Sequence, residues 1–486
     1  MFKRYFDLFV KFVKENKFLF AIFLISTCFF IFQHHKQLTW DFSSYVLNAR
    51  YLFYGGNYFE ILRPPLVPFI LGIFLFLGKF SEYIFIFISS LLFFISCVIF
   101  SDEVFKWNRL KKENVRFIFY FFSLSSYVLF YGLMAGTELI SVSFLGLFIV
   151  FVLKKKVSGH FLGLGMLARY NFFIFFPLLF FNKNYKIILK NLGFAFLIFC
   201  PWLLFNYFKY GNFIASVIDS LTLNVLNRGY LYEPFTLTPL ILVVGWFLPF
   251  FLIGIFVCIK KIFENRGGRY TNVILFLATF LILYDFITNP QKKLRFLFNF
   301  VLPVAYFSSA GFFLILNKFK KIRKHTVVVL FIIFLVIVAG FFSAFYKIDY
   351  NSLFSNAADD VRSLGLEDCE IVSPDWVPVA YYTENVYPFY DGSIVEAVEQ
   401  NKTVLIFKKL DSIDFTKRDL FLLDDLKFYE TEDYVFYSNG PEVCSEKYIY
   451  EEPYTDYVFC PNLARKFEGI GLKEKFEKLC FVFNKN

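Results

Sequence analysis

Two residue types stand out in an apolar chain. Asp41 opens a polar stretch, Trp40-Asp41-Phe42-Ser43-Ser44-Tyr45, just after the first long apolar run, and the same stretch closes on Arg63-Pro64-Pro65. Other charges inside or beside apolar runs are few: Arg50, Glu138, Arg169, Asp285, Lys292, Lys293 and Arg295. A single carboxylate beside a hydroxyl can serve as a general base, unlike the carboxylate pair of glycoside hydrolysis. A leaving group that departs as an anion needs cations, and arginine gives bidentate contacts to phosphate. Asp41 is therefore the candidate catalytic base. Arg63, Glu138, Arg169 and Arg295 are the candidate ligands of a donor phosphate or an acceptor. Asp41 also has a plainer alternative, capping an interfacial helix over 42–54. Asp285 reads as structural, and Arg50 is equally suited to lipid headgroups.

The elements that position these residues are membrane helices. Of 486 residues, 58% are hydrophobic and only 19% charged, with 77 phenylalanines. A soluble domain carries about a quarter charged residues. Candidate spans are 17–33, 82–100, 116–134, 138–153, 188–206, 238–259, 271–288, 296–316 and 326–345, near the ~20 residues a crossing helix needs. The net charge of +10 comes from basic loops between apolar runs and is no nucleic-acid signal. No small-residue cleavage site follows the first run, so it reads as a retained span behind a cytoplasmic, basic N-terminus.

Two segments decide the topology. If 64–80 crossed, the basic clusters at 106–112, 154–156 and 318–324 would all face outward, against the positive-inside rule. It reads instead as an interfacial or re-entrant helix started by Pro64 and Pro65. Segment 158–182 has basic loops on both sides, so it goes out and back as two short helices with Ala168-Arg169-Tyr170-Asn171 at the tip. The outcome is about eleven crossings, with loops 34–81, 207–237 and 289–295 and residues 346–486 outside. All the candidate site residues then lie at one face. A transporter more often places its polar groups at the midplane, on repeated halves.

Residues 346–486 differ in composition. Segments 370–373, 386–390 and 403–407 read as strands, with helical patterns at 356–364 and 393–400, which suggests a small extracytoplasmic α/β domain after a membrane domain spanning 1–345. Cys369, Cys444, Cys460 and Cys480 fall here and allow three disulfide connectivities. Asn401-Lys402-Thr403 is a glycosylation sequon, meaningful only outside. His34, His35, His160 and His325 are scattered without metal-ligand spacing. No cofactor is certain from the sequence, and a divalent metal stays open but unsupported by the pattern.

The order of four motifs resembles the membrane-embedded GT-C glycosyltransferases that use lipid-phosphate sugars, among them protein O-mannosyltransferases, aminoarabinose transferases and galacturonosyltransferase-like enzymes. Asp41 through Arg63-Pro64-Pro65 is similar to their first outer loop, in which an Asp is the catalytic base. Thr137-Glu138 resembles their second acidic site at a helix start. Pro201-Trp202 with Asn206 and Gly211-Asn212 resembles their Pro-Trp…Asn…Gly-Asn segment. Arg295-Phe296 through Pro303 is similar to their Arg-Tyr…Pro helix start. The resemblance covers about residues 18–316. It implies a polytopic helical GT-C-type fold in a cell membrane. It also implies an inverting transfer, at the outer face, of a sugar from a polyprenyl or dolichyl phosphate to a hydroxyl of a protein, glycan or lipid. The family often has a second acid beside the catalytic Asp, where this chain has Phe42. The competing expectation is a glycolipid or polysaccharide transporter without chemistry; a lesser one is a member that only binds glycolipid.

Overall fold

The computed structural model describes residues 10–108, 110–182, 184–223, 233–264, 268–289, 291–318, 350–389, 393–408, 410, 426–451 and 474. The expected span 326–345, the 345/346 domain boundary, His325, Cys460 and Cys480 lie outside them.

Six helical stretches among the described residues are long and apolar enough to cross a membrane: Lys17–Lys36, Phe80–Val104, Tyr185–Tyr210, Thr238–Phe263, Arg269–Thr288 and Leu294–Leu316. Shorter apolar helices accompany them at Leu66–Leu77, Glu138–Leu153, Gly159–Ala168 and Tyr170–Phe181. At about 1.5 Å per residue, Leu66–Leu77 reaches only about 18 Å, well short of a bilayer core of about 30 Å. An interfacial or re-entrant element can be this short. The pair within 158–182 also forms as expected, with a break at Arg169, whose extended backbone (φ −153°, ψ 120°) ends one helix and starts the next.

One expected span is corrected. Segment 116–134 is two helices, Lys112–Ser123 and Ser126–Tyr131. The Ser125 hydroxyl accepts from the Val128 amide at 3.3 Å and restarts the second helix. Serines around Leu124 compete with helix continuation by offering side-chain caps.

Glycines set the closest approach in the bundle. A Cβ on Gly254 would lie 1.7 Å from the Phe307 carbonyl oxygen, and one on Gly311 would lie 2.0 Å from that of Phe250. Helices Leu248–Phe263 and Val301–Lys318 therefore touch backbone to backbone, as small residues allow in membrane bundles.

The C-terminal region is an α/β domain, as expected. Strands β2 (Ile371–Ser373), β3 (Val386–Pro388) and β4 (Thr403–Phe407) fall on the expected segments. With β5 (Lys427–Glu430) and β6 (Tyr434–Tyr437) they form a five-stranded sheet in the order β3-β2-β4-β6-β5. The central strands pair in parallel, and β6 runs antiparallel to both β4 and β5. Helices Tyr350–Ser363 and Ile394–Glu399 match the expected ones, while Trp376–Thr383 is additional. Cys369 pairs with Cys444, their Cα atoms 5.4 Å apart, which selects one bond among the open connectivities. Within the sequon, Thr403 is buried in the sheet, where its hydroxyl meets Ser438 at 2.9 Å.

This domain docks on the polar stretch after the first span. There, β1 (Tyr58–Phe59) pairs in parallel with β7 (Tyr450–Glu451). Trp376 packs on Trp40 and Tyr58 at 5.8 and 5.1 Å between ring centres. Arg50 bonds the Glu384 carboxylate at 3.0 Å and the Tyr381 carbonyl at 2.6 Å. It is thus a domain anchor and not free for lipid headgroups.

Candidate active site

The site grows from helix Trp40–Tyr54. Its cap is Thr39, whose hydroxyl accepts from the Phe42 amide and donates to the Met134 carbonyl. Asp41 is therefore in the first turn and not the cap, which corrects the simpler reading and leaves its carboxylate for other partners. Helical spacing puts Asp41, Ser44, Tyr45 and Asn48 on one face. Gly55, at φ +70°, ends the helix and turns the chain back along it. Asn48 grips the returning strand from both sides. It donates to the Glu60 carbonyl and accepts from the Glu60 amide, each at 2.8 Å. Arg63 is thereby delivered over the helix start, and the buried Pro64 and Pro65 stiffen its exit.

Arg63 then makes three contacts. Its Nη1 donates to Asp41 at 2.6 Å, its Nε to Glu60 at 2.5 Å, and its Nη2 to Ser44 at 3.4 Å. The guanidinium lies over the Tyr45 ring at 5.7 Å. The other Asp41 oxygen accepts from Arg295, so two arginines hold one carboxylate. These side chains are mostly withdrawn from solvent, with 13% of Asp41, 14% of Arg63 and 24% of Arg295 exposed. Burial alone would raise the Asp41 pKa; Arg63 and Arg295 outweigh it and hold the carboxyl well below the usual carboxylate range. Burial likewise keeps the Tyr45 phenol neutral, above its ordinary value.

Arg295 starts the 3-10 turn Leu294–Phe300, which Tyr127 holds through the Leu294 carbonyl at 2.5 Å. Ser141 donates to Asn299 at 3.0 Å and ties this turn to helix Glu138–Leu153. Glu138, one turn earlier, accepts from the Ala135 amide at 3.2 Å through one oxygen. Its other oxygen is buried without a hydrogen-bond partner among the described residues. Arg169, Arg295 and Asp41 all act electrostatically on Glu138, and Arg169 also acts on Tyr45. All five residues expected from the sequence are thus brought together. Asp41, Arg63 and Arg295 are in direct contact, and Glu138 and Arg169 stand within Coulombic reach.

The remaining motifs support this cluster. Asp285 accepts from Asn171 at 2.8 Å and steadies the corner carrying Arg169, in line with its structural reading. Trp202 donates to Tyr170 at 2.9 Å and to Ser216 at 2.8 Å, and Asn206 shares that serine. Tyr170 in turn donates to the Arg63 carbonyl at 3.4 Å. Gly211, at φ +72°, ends that helix, and Asn212 accepts from the Ile214 amide.

Two members were not singled out from the sequence. Glu60 is the second acid on Arg63, coming from the end of the loop and not from the position after Asp41. Its signal was the i, i+3 spacing to Arg63 in a loop already known to be polar. Tyr45 lay in the quoted motif, at i+4 from Asp41. Among the described residues, no group of three His, Cys, Asp or Glu is placed to hold a metal ion.

No family model matches the chain, and no curated protein matches it by sequence. Solved structures do match. The crystal structure of ArnT from Cupriavidus metallidurans bound to undecaprenyl phosphate superposes with a TM-score of 0.59 over 90% of this chain and 100% of that one, at 10% identity. The chain has the ArnT fold. The apo structure of the same ArnT gives a TM-score of 0.53 at 11% identity, covering 88% of this chain and 98% of that one. The polytopic helical architecture expected from the apolar runs is borne out at the level of fold.

Proposed function

We propose that this chain is an inverting membrane glycosyltransferase that takes a sugar from a polyprenyl phosphate and transfers it to a hydroxyl of a protein, glycan or lipid. One observation carries the reading: Asp41 is held by Arg63 and Arg295, with Glu138 and Arg169 in the same cluster, on the fold of a protein crystallised with undecaprenyl phosphate. The acceptor oxygen bonds to the anomeric carbon as the bond from that carbon to the phosphate oxygen breaks. The electron pair leaves on the phosphate, and the acceptor proton passes to Asp41. Arg169, with no side-chain hydrogen bond among the described residues, and Arg295 neutralise the departing phosphate. The unpartnered oxygen of Glu138 suits a sugar hydroxyl, since a buried acceptor left unpaired is costly. Attack by the acceptor itself, with no protein nucleophile, inverts the anomeric centre.

We place residues 346–486 outside the cytoplasm. The Cys369–Cys444 bond supports this, because such bonds persist in oxidising compartments. The test is transfer by the purified protein in lipid nanodiscs, given polyprenyl-phosphate sugars labelled at the anomeric carbon and a hydroxyl acceptor. Label should move to the acceptor with inverted configuration. Retained configuration would refute the mechanism. Labelled lipid that crosses vesicles intact, with no transfer, would identify a transporter instead.

A further inference from the structure

A carboxylate bonded through both oxygens to arginines is a poor base, and this resting geometry conflicts with the role proposed for Asp41. The two arginines are not held alike. Arg63 is anchored apart from Asp41, by Glu60 at 2.5 Å, by Ser44 at 3.4 Å and by the delivery of its loop through Asn48. For Arg295, Asp41 is the one side-chain hydrogen-bond partner among the described residues, besides the ring of its neighbour Phe296 at 5.5 Å. Arg295 is also the more exposed of the two. Resting on the glycosyl-transfer reading above, we propose that Arg295 is a donor-operated gate: it masks Asp41 in the empty enzyme and moves to the donor phosphate on binding, which frees one Asp41 oxygen to accept the proton of the acceptor hydroxyl.

The physical argument is competition for one cation. A phosphate presents more charge and more acceptor oxygens than a shared carboxylate, so an arginine with one alternative partner transfers to it. Arg63, with two further partners, stays and keeps Asp41 oriented. The titratable and charged groups of the cluster enter the balance: Arg63 and Arg295 bond Asp41, Tyr45 and Glu138 feel its charge, Glu60 holds Arg63, and Arg169 acts on Tyr45 and Glu138. Base strength is then switched on only when donor is present. That guards the cluster against protonation while the site is empty and ties proton abstraction to a loaded site.

The test follows the Asp41 carboxyl by infrared difference spectroscopy of the full-length protein in nanodiscs, with its acid band assigned by loss in Asp41→Asn. A polyprenyl phosphate without sugar is the probe, and its binding is measured by calorimetry in the same samples. In the wild type, the midpoint of the Asp41 band should rise by about one to three pH units when the probe binds, the range for losing an adjacent opposite charge. In Arg295→Gln, the midpoint should already be raised without probe and rise little further with it. In Arg63→Gln, the probe-dependent rise should persist. Probe that binds while the wild-type midpoint stays put overturns the gate and leaves the donor reading standing. An equal rise in wild type and Arg295→Gln also overturns it, by showing simple repulsion from the phosphate. Failure of the probe to bind removes the donor reading, and the gate with it.

Discussion

Replacing Asp41 with asparagine separates chemistry from architecture in one substitution. Asparagine keeps the shape and one acceptor oxygen but loses the charge and the basicity. Asp41 accepts one charge-assisted bond from Arg63 and one from Arg295. A hydrogen bond to a charged group contributes roughly 1.5–3 kcal/mol and an ordinary one roughly 1 kcal/mol. One bond is lost and the other becomes weaker, while Glu60 still holds Arg63. With the three side chains partly open to water, the expected loss of stability is about 1–3 kcal/mol. Losing a general base costs about 10²–10⁴ in rate. Arg295 is set free for phosphate at the same time, so donor affinity should hold or improve. The signature is thus kcat lower by about 10²–10⁴ with a donor KM that does not rise. Steady-state transfer from a radiolabelled polyprenyl-phosphate sugar, with thermal melting of the same preparation, reads both. A variant that keeps kcat within tenfold, or loses rate through KM alone, would show that Asp41 is a clasp and not the base.

Other expectations follow from the same contacts. Glu60→Gln should weaken the hold on Arg63, lowering stability by about 1 kcal/mol and kcat by more than it alters KM; a pure KM effect would count against a positioning role. The folded Asp41 carboxyl lies below its unfolded value of about 3.9, so its pairs contribute fully above that pH and lose their contribution only as pH falls through the lower folded value. The melting difference between wild type and Asp41→Asn should accordingly be flat from pH 5 to 7 and shrink below about pH 4. Cys369 and Cys444 are 75 residues apart, and closing such a loop stabilises by about 4 kcal/mol in the chain-entropy account. Cys369→Ser should lower the melting point of the C-terminal domain, and reductant should lower the wild type to the same level. Gly254→Ala drives a methyl into the Phe307 carbonyl and should cost at least about 2 kcal/mol, seen as lower detergent-resistant melting.

Much of this was legible because charge is scarce in an apolar chain. Asp41, Glu138, Arg169 and Arg295 each stood out against phenylalanine, and the basic loops put them at one face. The two-helix reading of 158–182 and the non-crossing reading of 64–80 rested on those charges; two short helices form in the first segment and a short apolar helix in the second. What escaped was set by three-dimensional return of the chain. Glu60 meets Arg63 only because Gly55 reverses the backbone and Asn48 pins the returning strand. Arg50 read as equally suited to lipid headgroups because its partner Glu384 lies more than three hundred positions away. The span 116–134 hid a break, since its apolar run continues through serines whose capping role depends on local geometry. The antiparallel strands β5, mostly exposed, and β6, buried throughout, were not singled out from the sequence.

Helix Trp40–Tyr54 is a party wall. Asp41, Tyr45 and Asn48 face the polar cluster, while Trp40, Leu47 and Arg50 face the C-terminal domain, and Leu47 and Tyr58 share its core. The first loop therefore belongs structurally to both units and cannot be inherited with only one of them. A chimera that exchanges the C-terminal domain but keeps the native loop would leave Arg50 and Trp40 without their sockets and tilt the same rod that carries Asp41. Grafts that exchange the C-terminal domain should move residues 40–63 together with it, and lineages that diverge in one should change the other in step.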